Sequence, residues 1–540
     1  MKLTTLNKCL FAATASVAMT QPLYAQAAAD TRPNVLVIVM DDLGTGQLDF
    51  DLNTLDVENL NQRPVAARYQ GDINKMIEAA RTAMPNVSAL AQQGVKMTNA
   101  FVAHPVCGPS RAGIFTGRFP ASFGIYSNDD SFNGIPLEVK LLPALLQENG
   151  YTTANIGKYH NAKVNRDRSI GRITQPEDLR TRDYHDNFSS VPEAGYFPTD
   201  RGFDYSYSFF VSGAALWNSP AFWRNKEPIP APGYTTHNIT NEAIQFIEQA
   251  EDKPFFINLA YSVPHIPLEQ ASPAKYMDRF NTGNVEADKY YASLNAADEG
   301  IGKIIEKLKE TGKYDNTLIF FLSDNGSVHE APMPLNGMDN SFKGMLHNGG
   351  LRVPFIVSWQ GKIPANSQSD SLISAIDILP TVLSAAKIDI PADLKVDGKD
   401  LLPLLTGKTQ QSPHKYLYWA GPGAKHYSEE NQQFWADYWQ FITYNRKDPA
   451  QNPNLEKASK GSWAVRDQDW TLYFYNDGSN SLQLYHNKVD PAESQNVAAK
   501  NPEKVKELKN AFAQWIVKQP YPMEWNPEEF KAIVSSAQSK

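Results

Sequence analysis

The chain has 540 residues, with 51 Lys and Arg against 59 Asp and Glu, a net charge of −8. That balance argues against a nucleic-acid groove, because phosphate binding needs a local basic excess. Apolar residues at 42% and charged residues at 20% exclude bulk disorder, and two cysteines exclude a disulfide scaffold.

Lys2 and Lys8 precede an apolar run from Cys9 to Met19, and Ala25-Gln26-Ala27 offers small residues for cleavage. This pattern predicts a secretory signal peptide over residues 1–27 and a periplasmic or secreted mature chain. Cys9 sits too early for a lipobox, and no later stretch reaches the ~20 apolar residues of a membrane span. No membrane anchor is therefore expected. Loss of the signal leaves Cys107 as the one cysteine. In an oxidising compartment it is buried and inert, paired between chains, or chemically special.

Asn34 to Met40 (NVLVIVM) is apolar and β-branched without alternation, which predicts a strand buried on both faces. Helices are expected at Pro85–Gly94, Leu141–Asn149, Asn241–Gln249 and Ala292–Thr311. Strands are expected at Tyr151–Ile156, Pro254–Ala260, Thr317–Leu322 and Val353–Ser358. Such alternation predicts an α/β fold over residues 28–408, a large mostly parallel sheet flanked by helices. After the linker-like Thr406–Ser412, short aromatic strands follow at Tyr416–Trp419, Phe441–Tyr444, Trp463–Arg466, Thr471–Tyr475 and Leu482–Tyr485. With a helix at Pro502–Val517 they predict a smaller C-terminal antiparallel sheet plus helix over residues 409–540.

In open parallel sheets, ligands bind beyond the carboxyl ends of the strands. Two apolar strands here end in Asp41-Asp42 and Asp324-Asn325. Three carboxylates and an amide on one rim make an all-oxygen site suited to Ca²⁺ or Mg²⁺, not zinc. Without a cation their repulsion would be costly. The alternative is two solvated turns, since these residue types are common there.

Cys107-Gly108-Pro109-Ser110-Arg111, followed by Ala112-Gly113 and Thr116-Gly117-Arg118, resembles the signature of type I sulfatases in the alkaline-phosphatase-like superfamily. Other segments resemble that family in order: Asn34–Gly44, Gly150–Thr153 with Gly157–His160, Pro264–Pro267, Leu322–Gly326, and Lys343-Gly344 with Gly349–Pro354. Ser374–Thr381, Asp397–Lys399, and Val465-Arg466 with Asp490–Asn496 extend the likeness. Three positions depart: Tyr159 stands where Trp is usual, Asn348 where Glu is usual, and His347 where an aromatic is common. The last two are expected to tune substrate contact beside Lys343.

The resemblance implies that Cys107 is oxidised to formylglycine (3-oxoalanine) by a formylglycine-generating maturase. It also implies one Ca²⁺ on Asp41, Asp42, Asp324, Asn325 and residue 107. The aldehyde hydrates to a geminal diol, one hydroxyl attacks sulfur, and the second hydroxyl lets sulfate be expelled. Arg111, Lys158 and Lys343 would stabilise the anionic ester. His160 is implied as the base at the diol and His265 as the acid at the leaving oxygen. Arg111 has a second role open to it, bracing the loop around residue 107. His185, His237, His414, His426 and His486 lack such context, and His104 and His329 stay unranked.

The expected activity is hydrolysis of sulfate esters on a sulfated polysaccharide or oligosaccharide, best a carrageenan-type galactan. A phosphoester hydrolase of the same superfamily is the alternative, followed by a non-catalytic carbohydrate-binding protein. Two stretches look inserted, Gln47 to about Thr82 and Asn161 to about Thr199, where additions shape a pocket mouth. Trp217, Phe222, Trp223, Phe434, Trp435, Tyr438 and Trp439 are candidate stacking faces for sugar rings, with core packing as the alternative for each.

Overall fold

The computed structural model describes residues 31–48, 71–169, 190–210, 213–250, 252–328 except 267 and 269, 331–422 except 333, 460–476 and 481–539. The expected signal peptide, the strand at Phe441–Tyr444, the aromatics Phe434 to Trp439, and His185, His329 and His426 lie outside the described residues.

Ten strands form the main sheet among the described residues. In chain order they are β1 (Asn34–Met40), β2 (Val95–Met97), β3 (Thr152–Lys158), β4 (Tyr205–Phe209), β5 (Trp223–Arg224), β6 (Glu227–Pro228), β7 (Phe255–Ala260), β8 (Thr317–Ser323), β9 (Phe355–Ser358) and β10 (Ser367–Ser369). Their spatial order is β6-β5-β4-β3-β7-β1-β8-β9-β2-β10. The centre, β4-β3-β7-β1-β8, is parallel throughout. Outside it the sheet is mixed, which corrects the expected parallel placement of Val353–Ser358. β9 runs antiparallel to both β8 and β2, and β5 antiparallel to β4.

Burial on both faces explains the unbroken apolar runs. Val35, Val37 and Val39 of β1 point into one core, while Leu36, Ile38 and Met40 point into the other. Helices α1 (Ile73–Ala83), α2 (Pro85–Gln92), α5 (Thr235–Gln249) and α6 (Val285–Glu310) cover the Leu36 face. Helices α3 (Cys107–Thr116), α4 (Leu142–Glu148) and α7 (Ile378–Ala385) cover the Val35 face. α6 begins at Val285, ahead of the expected Ala292, because the Asn284 side chain accepts from the backbone N–H groups of Glu286 and Ala287. Its polar first turn hides that start from the apolar periodicity.

A four-stranded antiparallel sheet follows: β11 (Leu417–Pro422), β12 (Gly461–Arg466), β13 (Trp470–Tyr475) and β14 (Ser481–His486). Trp463, Leu472 and Phe474 on one face pack under α8 (Pro502–Ile516) and α9 (Pro527–Gln538). Trp419, Tyr473 and Tyr485 on the other face join the core beneath α3 and α7. This sheet is thereby packed against the α/β layers. Among the described residues, no helix is long and apolar enough to cross a membrane.

Candidate active site

The parallel centre brings four strand ends to one rim. β1 delivers Asp41 and Asp42, β3 ends on Lys158, β7 leads to His265, and β8 leads to Asp324 and Asn325. The backbone N–H of Asp42 donates to Asp324 Oδ1 (3.2 Å), that of Leu43 to Ser323 Oγ (2.8 Å), and that of Asp324 to the Met40 carbonyl (3.0 Å). Asp42 takes a left-handed φ of 68°, uncommon for a residue with a side chain and typical of functional turns.

Cys107 is the first residue of α3, and its thiol points at the acidic pair: Sγ lies 3.5 Å from Asp41 Oδ1 and 3.9 Å from Asp42 Oδ1. One turn on, Arg111 Nε and Nη2 lie 2.9 and 2.8 Å from Asp324 Oδ2, while Nη1 donates to the Lys158 carbonyl (3.2 Å). The guanidinium therefore braces two strand ends against α3. Lys158 Nζ reaches both oxygens of Asp41, and Lys343 Nζ lies 2.7 Å from Asp42 Oδ1. His265 Nε2 lies 3.7 Å from Asp42 Oδ2. His160 is buried against Phe132, with ring centroids 5.6 Å apart. All ten residues expected at the site occupy this one rim or its immediate flank.

Burial sets the electrostatics, and the neighbours then correct it. Burial, with the charges of Asp324 and Asp42, raises the Asp41 carboxyl to about 7 despite Lys158 and Arg111. At Asp42 burial is overcome by Lys343, His265 and Lys158, which hold the carboxyl well below its usual range. At Asp324 burial is overcome by Arg111 and Lys158, and the carboxyl is again lowered. Burial lowers His265 to about 3 against the pull of Asp42. Burial and then the Lys158 and Arg111 charges push His160 far down as well, so both rings are neutral. Burial, aided by Asp324, pushes the Cys107 thiol up. An unmodified Cys107 is thus a protonated thiol and a poor nucleophile at neutral pH.

Asp42 Oδ2 and Asn325 Oδ1 are buried oxygens without a hydrogen-bond partner. Among the described residues, ligand atoms of Asp41, Asp42, Cys107 and His265 also lie within 4.8 Å of one another. Two unsatisfied hard oxygens in an acidic cluster fit a divalent cation, and His265 stands closer to that cluster than sequence reasoning placed it. Ser323, whose hydroxyl ties the two acidic turns, was missed: a lone serine at a strand end carries no distinctive signal.

Other expectations need correction. Phe222 is fully buried and stacks on Tyr207 (4.5 Å between centroids), and Trp223 packs on Phe197 and Phe210; neither presents a face to a sugar. Trp217 is half-buried, with its Nε1 donating to the Ala271 carbonyl (2.9 Å). His347 and Asn348 are buried against the C-terminal sheet and do not line a substrate surface. His414, which lacks motif context in the sequence, is structural as that implies: its Nε2 lies 2.7 Å from Asp377 Oδ1.

The chain matches the family described as Sulfatase over residues 33–388, and the family described as N-sulphoglucosamine sulphohydrolase, C-terminal, over residues 340–454. It is 44% identical over 505 residues to the "Uncharacterized sulfatase YdeN" of Escherichia coli (strain K12), covering 93% of this chain and 89% of that protein. It is 28% identical over 413 residues to the N-acetylgalactosamine-6-sulfatase of Canis lupus familiaris, covering 73% and 70%. Among solved structures, Ps i-CgsB in complex with k-i-k-neocarrahexaose is similar with a TM-score of 0.68 at 25% identity, covering 94% of this chain and 98% of that one.

Proposed function

Given that the chain belongs to the type I sulfatases of the alkaline-phosphatase-like superfamily and is a sulfuric ester hydrolase, we propose that it is an exported enzyme desulfating a carrageenan-type galactan, with Cys107 converted to formylglycine and one Ca²⁺ held by Asp41, Asp42, Asp324, Asn325 and residue 107. The observation that carries this reading is the Cys107 thiol standing 3.5 and 3.9 Å from two buried carboxylates ringed by Arg111, Lys158 and Lys343. The galactan is supported by the carrageenan oligosaccharide held by a structurally similar protein.

The cation supplies Lewis acidity toward the sulfate oxygens. Residue 107, once converted to hydrated formylglycine, would supply an oxygen nucleophile and a second hydroxyl. The chain's own residues do the rest. Lys158 and Lys343 set positive charge where the anionic ester must sit. Arg111 is committed to Asp324 and the Lys158 carbonyl, so it fixes the nucleophile's helix against the rim. His265, with its side chain 16% exposed, is the histidine a substrate can reach; neutral before substrate binds, it would serve the leaving oxygen as an acid once the negative charge of the bound ester holds a proton on the ring. His160, 1% exposed and neutral, fits the base that acts at the diol.

The test is co-expression with a formylglycine-generating maturase, then mass analysis of the peptide around residue 107 and sulfate release from carrageenan and glycosaminoglycan oligosaccharides. Oxoalanine at residue 107 with release from carrageenan is expected. Release only from glycosaminoglycan fragments would move the substrate. An unmodified, dispensable Cys107 would remove the mechanism.

A further inference from the structure

Lys343 sits on a loop that touches both halves of the site. The Lys343 backbone N–H donates to the Ser327 carbonyl (3.0 Å), and that of Gly344 donates to the Pro105 carbonyl (2.9 Å), two residues before Cys107. The Gly326 N–H, beside Asn325, donates to the Gly350 carbonyl (3.1 Å). The far end of this loop, His347-Asn348, runs inward to meet Glu493, in the turn that follows β14 of the C-terminal sheet.

Glu493 is 2% exposed, and its two carboxylate oxygens divide their work. Oε2 takes the loop: His347 Nδ1 lies at 2.9 Å and the Asn348 backbone N–H donates at 3.1 Å. Oε1 takes the sheet: it accepts from the Tyr473 hydroxyl and from Asn487 Nδ2 (3.1 Å). The His347 ring lies on Tyr473, with centroids 4.4 Å apart. Arg466 Nη1 donates to Asn348 Oδ1 (3.2 Å), and Asn348 Nδ2 donates to the Pro491 carbonyl (3.1 Å). A carboxylate this buried holds its place only while its donors are met, so the join is rigid.

We propose that Glu493 is a positioning residue for desulfation. By clasping His347 and Asn348 it fixes the loop that sets Lys343 Nζ against Asp42 and residue 107. The segment after β14, anchored on the C-terminal sheet through Tyr473, thus contributes to catalysis without touching substrate. The inference rests on the reading of Lys343 as a cation for the ester, and a displacement of order 1 Å at such a group can cost ~100-fold in rate.

A double-mutant cycle tests it: kcat and KM on an aryl sulfate for the matured enzyme, Lys343→Ala, Glu493→Gln and the pair, with melting temperatures of each. Glu493→Gln is expected to lower kcat/KM by about 10- to 100-fold in the native background and by less than about threefold beside Lys343→Ala. Equal losses in both backgrounds would show a merely structural carboxylate and overturn the proposal, leaving the Lys343 reading intact. Native turnover by Lys343→Ala would overturn that reading and the proposal with it. If Glu493→Gln does not fold, Tyr473→Phe removes one donor to the same carboxylate. Its smaller loss must also vanish beside Lys343→Ala, and persistence of that loss overturns the proposal.

Discussion

Lys158 Nζ stands 2.8 and 3.0 Å from the two carboxylate oxygens of Asp41, with both side chains fully buried. Lys343 answers Asp42 and Arg111 answers Asp324 in the same way, so three carboxylates meet three cations inside the rim. This compensation lets the acidic cluster fold. Replacing Lys158 with Met leaves Asp41 buried beside Asp42 and Asp324. Because burial already holds the Asp41 carboxyl at about 7, proton uptake caps the cost. Lys158→Met is therefore expected to lose about 2 kcal/mol in chelator, below the full cost of stranding a buried charge. Added Ca²⁺ should restore more of that loss than it adds to the native protein, read by denaturant unfolding with and without the cation. Equal gains in both proteins would separate Lys158 from the cation site.

Gly157 sets where Lys158 stands. Its φ is 101°, and an added Cβ would lie 1.9 Å from the Ala260 carbonyl oxygen on the neighbouring strand. Gly157→Ala must therefore shift β3 or β7 at the site's edge. The expected cost is at least about 2 kcal/mol in stability, with turnover falling about tenfold or more. Thermal unfolding and aryl sulfate turnover check this, and a variant unchanged in both would show that the rim tolerates movement.

Much of this site was legible because its chemistry is local. The apolar runs of β1 and β8 announce buried strands, and the acidic pairs follow them directly in sequence. Strand direction is not local: nothing in Phe355–Ser358 itself says that it runs antiparallel to β8. α3 was missed because Gly108, Pro109 and Gly113 are poor helix formers; the helix is held by burial of every one of its residues. Glu493 and His347 lie 146 residues apart, and only the packing of the C-terminal sheet on the Val35 face brings them together. Phe222 and Trp223 carry the same residue types as a sugar-stacking face, and only their burial identifies them as core.

The proposed nucleophile gives a direct test. Cys107→Ser places a hydroxyl toward Asp41 and Asp42 and keeps the surrounding charges. On the formylglycine reading, a serine lacks the second hydroxyl through which sulfate would be expelled, and it is a poor substitute for cysteine in aldehyde formation. Substrate binding by this variant should persist while turnover falls by more than about 1,000-fold, as when a covalent nucleophile is lost. Sulfate release and oligosaccharide binding should be measured on the same preparation. Near-native turnover by the serine variant would sink the formylglycine mechanism.

The two histidines separate by leaving group. His265 is partly exposed beside Asp42, and His160 is buried behind Phe132. If His265 protonates the departing sugar oxygen, its removal matters most when that oxygen is a poor leaving group. An aryl sulfate needs little protonation, whereas a sugar alcohol needs much. His265→Ala is therefore expected to lower kcat/KM for the saccharide at least about tenfold more than for the aryl ester. If His160 is instead the base at the hydrated residue 107, acting after the alcohol has left, its removal should lower kcat alike for both esters where that second step limits turnover. Comparing kcat/KM with kcat keeps the steps apart, because kcat/KM reports only those through the first irreversible one. Equal losses on both esters for His265→Ala would remove it as the acid. Its 3.7 Å approach to Asp42 Oδ2 would then assign it to the cation cluster.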